Sequence, residues 1–249
     1  MSGALRHSTA ECGDNLENGR LSDLRDFYSL IASLAALSSP RTLSASSGRM
    51  SWPQRGVYFF MEDGETRSDS GTGLRIVRVG THALKDSSGT MLWTRLSQHK
   101  GRVSSGGGNH RGSIFRLIVG TAILNRDNID HPTWGQGNNA PKTIRTEEIS
   151  LERQVSNVLG AMQFLCLSVP DAPGPNSLRG HIERNAIALL SNFGREPLDP
   201  PSTAWLGRHC DRERICRSGL WNSNHVDERH DPLFLRTLEQ AILAMEREQ

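Results

Sequence analysis

Gly56-Val57-Tyr58-Phe59-Phe60-Met61-Glu62 and, a few residues on, Leu74-Arg75-Ile76-Val77-Arg78-Val79-Gly80 decide how this chain is read. The first stretch is an apolar run of β-formers. The second sets Leu74, Ile76, Val77 and Val79 against Arg75 and Arg78. Asp63-Gly64 marks a turn between them. Two strands follow, antiparallel through a longer hairpin loop. Alternation places Tyr58 on the face of Phe60, with Val57 and Phe59 on the other.

Upstream, residues 1–20 are polar with little to bury and read as a disordered tail. Ser22 can cap a helix to residue 37, with Leu24, Phe27, Ile31 and Leu34 at helical spacing. A Ser-rich connector completes a unit over 21–51. Downstream, residues 88–99 read as a helix, and 100–113 as a Gly-rich loop. Residues 114–124 are apolar, and periodicity leaves helix and strand both open. A polar loop (125–146), a helix from Ser150, a strand near 162–169 and a helix over 178–190 complete a region 52–200, with an insertion at 100–148. A C-terminal extension, 201–249, ends in a helix opened by Asp231-Pro232. Few strands among many helices argue α+β, with a small three-stranded, mainly antiparallel sheet flanked by helices.

Hydrophobic residues make up 36% of the chain, so a core forms only if the polar excess sits in loops and tails. A net charge of +2 excludes a globally basic protein; nucleic-acid affinity must come from a local face. No stretch approaches the roughly 20 apolar residues of a membrane span. No secretory signal is visible, which places the chain in the cytoplasm with Cys12, Cys166, Cys210 and Cys216 reduced. Cys210-x5-Cys216 with His225-x4-His230 invites a zinc reading, although the spacing departs from short zinc knuckles.

Tyr58 is read as a core tyrosine or a catalytic phenol. Arg95 and His99 lie one helical turn apart, a polar face that suits an anion such as phosphate or is merely solvated. Glu183, early in its helix, is favoured by the dipole and is also able to anchor one Mg²⁺.

These residues resemble, in order, the signature of the GIY-YIG nuclease superfamily over about residues 55–195. Gly56-Val57-Tyr58 stands at the first tripeptide and Arg78-Val79-Gly80 at the second. Arg95 and His99 match the following helix, Glu183 matches the metal-binding glutamate, and Asn192 is the best match for the terminal asparagine. The long segment between His99 and Glu183 is similar to the restriction-enzyme branch, which carries insertions. The resemblance implies hydrolysis of DNA phosphodiester bonds with one Mg²⁺ or Mn²⁺ on Glu183. Tyr58 would act on the attacking water, Arg95 and Arg78 on charge, His99 on Tyr58, and Asn192 would steady the site; a homodimer is compatible. Arg78 departs from the usual tyrosine, so it either grips the scissile phosphate or marks a site kept only for binding or scaffolding. The Gly-rich loop adds His110, Arg111, Ser113 and Arg116, outside the signature, as a candidate phosphate or groove contact.

Overall fold

The computed structural model describes residues 8–101 and 107–247. At its centre is one antiparallel sheet of four strands: β1 (Arg41–Thr42), β2 (Gly56–Thr66), β3 (Leu74–Gly80) and β4 (Gln163–Ser168), in the order β1-β4-β2-β3. The expected count of three is corrected by β1. This two-residue edge strand pairs Arg41 with Phe164 and Thr42 with Gln163, inside what reads as a Ser-rich connector. A strand that short leaves no periodicity to detect.

β2 is central, and the alternation read from its sequence holds on both sides. Tyr58 and Phe60 join one core with Phe164 and Cys166; Val57 and Phe59 join a second with Leu165 and Leu167. The first core is closed by α2 (Leu92–Lys100), α3 (Ile114–Asp127) and α5 (Ile149–Ala161). The second is closed by α1 (Ser8–Leu37), α6 (Leu178–Leu190) and α8 (Phe234–Arg247). Short helices α4 (Lys142–Glu147) and α7 (Glu213–Ser218) lie in the connections. Residues 114–124, left open above, are helical, with Ser113 as the N-cap.

Helix α1 begins at Ser8, so the disordered reading of residues 1–20 is corrected from that point on; residues 1–7 of that reading lie outside the described residues. The buried face of α1 explains its docking. Leu24, Phe27, Ile31 and Leu34 are all buried, and Phe27 packs edge-on against Phe59 of β2. Among the described residues no helix is long and apolar enough to cross a membrane.

The pairing of β2 with β3 carries a bulge. Phe60 faces Arg78 and Met61 faces Ile76, which leaves Val77 as the extra residue. A bulge re-aims the side chains beyond it. Here it sets Arg78 opposite Phe60, on the face that bears Tyr58. Gly80 pairs with Tyr58 itself, and a Cβ there would overlap the Tyr58 ring. The glycine of Arg78-Val79-Gly80 is thus a steric requirement of the tyrosine in Gly56-Val57-Tyr58.

Candidate active site

Tyr58, Arg78, Arg95 and Glu183 line a single cavity of about 530 Å³. Each arrives on a different element: β2, the bulged part of β3, α2 and α6. The lining is completed from the C-terminal segment by Arg212, Trp221, Asn222 and His225. That segment is anchored where it meets the sheet. Trp221 N–H donates to the Val77 carbonyl at 2.7 Å, and the Trp221 and Trp205 indoles both donate to Glu62 Oε2 at 3.2 Å.

Behind the cavity wall, Tyr58 Oη lies 3.0 Å from His99 Nε2, and His99 Nδ1 lies 2.8 Å from Ser113 Oγ. The imidazole has no exposed surface and stands edge-on to Tyr58, Phe60 and Phe115. Burial, followed by the positive charge of Arg78 and Arg95, holds it well below the usual histidine range, so it is neutral. Burial also raises the Tyr58 phenol, against the pull of Arg78 and Arg95. Tyr58 is therefore both a core residue and a cavity residue.

Arg78 donates from Nη1 to the Trp221 carbonyl, and its guanidinium lies over the Phe115 ring at 4.4 Å. Nε has no hydrogen-bond partner among the described residues. Burial lowers its pKa, but a guanidinium stays cationic. Its unpartnered Nε is itself buried, so what the anchored guanidinium brings to the cavity wall is its positive charge, which suits an anionic oxygen. Arg95 bonds Gln98 at 3.0 Å and is only partly buried.

Glu183 Oε1 accepts from the Thr81 N–H at 3.1 Å, and Oε2 makes no hydrogen bond among the described residues. Burial raises this carboxyl, opposed by Arg78 and by the Thr81 amide. Among the described residues it is the only carboxylate in the cavity lining. Among the described residues no three His, Cys, Asp or Glu side chains gather as a metal-holding group. One oriented carboxylate with a spare oxygen fits Mg²⁺ or Mn²⁺, which keeps waters and takes one or two protein oxygens. It does not fit a closed tetrahedral zinc site. The zinc reading is corrected accordingly: Cys216 Sγ contacts the Cys210 carbonyl, His225 pairs with Glu228 and His230 with Asp23.

Two further expectations do not meet the cavity. Asn192 is buried beneath the second core, where it accepts from Arg20 at 2.8 Å and exchanges two bonds with Leu198. Its amide is consumed in closing the chain after α6. Two asparagines line the cavity instead, Asn222 and Asn224; the side chain of Asn222 brackets the Val79 backbone, accepting from N–H at 3.1 Å and donating to C=O at 2.8 Å. It lies 143 residues from its partner, and sequence reasoning missed it. His82 was missed as well; it lines the cavity and is pushed down to about 4 by burial and by Arg179.

The loop residues proposed to touch nucleic acid are turned inward. Arg116 is fully buried, bound through Nε to Glu152 Oε2 at 2.9 Å and through Nη1 to the His99 carbonyl at 2.8 Å. Arg111 makes a fork with Glu148, at 2.6 and 2.9 Å. His110 pairs with Glu152 at 3.0 Å, and Ser113 is buried as the cap of α3. A Cβ at Gly108 would run into the Arg116 guanidinium, so that glycine serves close packing. The structure places His110, Arg111, Ser113 and Arg116 in inward contacts and not on an open face: two carboxylates on and before α5 pair with the three basic side chains. Residues 102–106 of the same loop lie outside the described residues.

A small antiparallel α+β domain with a tyrosine–histidine pair, two arginines and one helix-borne glutamate around a cavity describes a phosphodiesterase-like class. The family model described as GIY-YIG domain matches residues 18–248, and the chain belongs to that family. The match takes in α1 from residue 18 and the C-terminal segment as well as the sheet. No curated protein and no solved structure matches the chain.

Proposed function

We propose that this chain is a divalent-metal-dependent endonuclease that hydrolyses DNA phosphodiester bonds in the cavity bounded by Tyr58, Arg78, Arg95 and Glu183. One observation carries the reading: a buried tyrosine hydroxyl and a helix-borne carboxylate, 125 positions apart in sequence, line the same cavity together with two arginines. Membership of the GIY-YIG domain family supports the same chemistry.

Tyr58, as phenolate, takes a proton from a water in the cavity. The water oxygen bonds to phosphorus, the bond to the 3′ oxygen breaks, and that oxygen leaves with a proton from solvent. Arg78 and Arg95 face the phosphate and offset the charge that grows on it. Both cations also favour the phenolate. His99 holds the phenol by its 3.0 Å contact. Glu183, with water, would hold Mg²⁺ or Mn²⁺, which when bound polarises the phosphate and stabilises the leaving oxygen. Asn222 fixes the backbone of β3 beside Arg78. The substrate is DNA, entering through the open side of the cavity. One cavity cuts one strand per encounter, so a double-strand break made in a single encounter would need a second copy of the chain.

The test is cleavage of supercoiled plasmid with Mg²⁺ or Mn²⁺. The purified protein nicks it, Glu183→Ala loses on the order of 1,000-fold in rate, and Tyr58→Phe on the order of 100-fold. Undiminished cutting by either variant overturns the corresponding role. DNA binding with no cutting under any divalent ion favours the other reading, a binding module in which Arg78 marks a lost activity.

A further inference from the structure

We infer that Ser113 is a positioning residue of the site: it fixes the tautomer of His99, so that the imidazole donates a hydrogen bond to Tyr58 instead of accepting one from it. The catalytic consequence rests on the nuclease reading above; the tautomer itself does not.

The argument is a count of protons along a buried chain. Ser113 Oγ has two partners among the described residues, the Arg116 backbone N–H at 3.3 Å and His99 Nδ1 at 2.8 Å. An amide N–H can only donate, so the serine oxygen accepts there as the cap of α3. The hydroxyl hydrogen then needs an acceptor, and Ser113 is 1% exposed, so water does not provide one. His99 Nδ1 is the acceptor within reach. A buried hydroxyl left without an acceptor is the penalised alternative.

The neutral ring carries a single proton. With Nδ1 accepting, that proton is on Nε2, 3.0 Å from Tyr58 Oη. His99 therefore donates, and the phenolic hydrogen of Tyr58 is turned away from the ring; Tyr58 is as buried as Ser113 but, unlike it, lines the cavity, where that hydrogen finds its acceptor. The opposite tautomer would present a bare Nε2, draw the phenolic hydrogen into the wall and stabilise the neutral phenol. The direction matters because burial already raises the phenol. A donor aimed at its oxygen works against that rise, beside Arg78 and Arg95. Ser113 touches neither cavity nor substrate, so it acts through His99.

Nitrogen-15 spectra of the imidazole groups in the intact protein report the tautomer without any assay of activity. The wild type is expected to show His99 protonated at Nε2. Ser113→Ala is expected to populate the Nδ1-protonated form, and Ser113→Thr, which keeps hydroxyl and cap, to restore the first pattern. An Nδ1-protonated wild type, or an unchanged pattern in Ser113→Ala, overturns the proposal. The spectrum of the wild type decides even if Ser113→Ala does not fold. On plasmid cleavage, the limb of the rate that rises with pH is expected to move up by about one unit in Ser113→Ala, about a tenfold loss at neutral pH, and to return in Ser113→Thr. A uniform loss with no movement of the limb overturns the link to Tyr58. If the wild type cuts no DNA at all, the nuclease reading fails, and the spectra still decide what Ser113 does.

Discussion

Two pairs of arginines lie close together in this fold and have opposite fates. Arg78 and Arg95 border the cavity, where Glu183 is the only carboxylate in the lining among the described residues. Arg111 and Arg116, on the loop before α3 and its first turn, are each clasped by a carboxylate, Glu148 and Glu152. In sequence both pairs look like phosphate contacts. What separates them is whether folding brings a carboxylate to the guanidinium. A cation already paired and buried supports structure; one held in place but left without a full set of partners retains interaction capacity for a ligand.

The sharpest way to break this comparison is Arg116→Ala. Removing Arg116 leaves the buried Glu152 with only His110 as a partner, and the expected cost is about 3 kcal/mol by urea unfolding. Its DNA affinity, measured where the variant is still folded, should keep the wild-type salt dependence. A stable variant with a reduced salt slope would return Arg116 to the nucleic-acid interface. Next in size is Arg95→Ala. It is expected to lower plasmid cleavage about 100-fold, equivalent to about 2.7 kcal/mol, while stability changes by less than about 1 kcal/mol. Equal losses in both measurements would erase the distinction between the two pairs.

Asparagines give the same contrast at smaller scale. Asn192→Ala removes one of the several acceptors of Arg20 and the side-chain partner of the Leu198 backbone and should cost about 1–3 kcal/mol of stability, with cleavage per folded molecule unchanged. Asn222→Ala loosens β3 where Arg78 emerges, and should lower cleavage more than its melting shift explains. A catalytic defect confined to Asn192→Ala would reverse the two roles.

The pattern of legibility follows from the range over which each contact acts. The placement of Tyr58, Arg95, His99 and Glu183 was legible because each stands on a strand or helix whose local periodicity sets its direction, whereas Arg78 is aimed by the bulge, which no local pattern shows. Their convergence required only the order of elements. Asn192 was misread because its partners, Arg20 and Leu198, act at 172 and 6 residues' distance, and the first is invisible locally. Asn222 and the acidic partners of the Gly-rich loop fail for the same reason: Glu148 and Glu152 stand 37 and 36 residues from the arginines they bind. A loop rich in Gly and Arg is read as open until its carboxylates are placed. The family match over residues 18–248 covers α1 and the C-terminal segment, whose residues face the second core and the cavity. Neither carries a signature motif.

Histidines supply the finest measure of the unneutralised field. His82 and His99 lie on the cavity side and are both held neutral. Burial is the first cause in each, and Arg95 adds to it in each. For His82 the folded value is about 4 against 6.5 for the free group. Between those values the unfolded chain binds a proton that the folded chain refuses. The stability contributed by neutral His82 is thus complete above pH 6.5 and is lost as the pH falls from 6.5 toward 4. Glu183 runs the other way: its folded carboxyl keeps a proton above 4.5, so its share of stability declines as the pH rises from there. Urea unfolding of His82→Gln from pH 7 to pH 4.5 should therefore show a shallower loss in acid, by up to about one proton's worth of slope. In Arg95→Gln, titration of His82 by nuclear magnetic resonance should move upward by about half a unit or less, the scale of one partly solvated charge. A value that does not move would show that burial and the nearer Arg179 hold His82 neutral and that the positive charge of Arg95 does not reach it across the cavity.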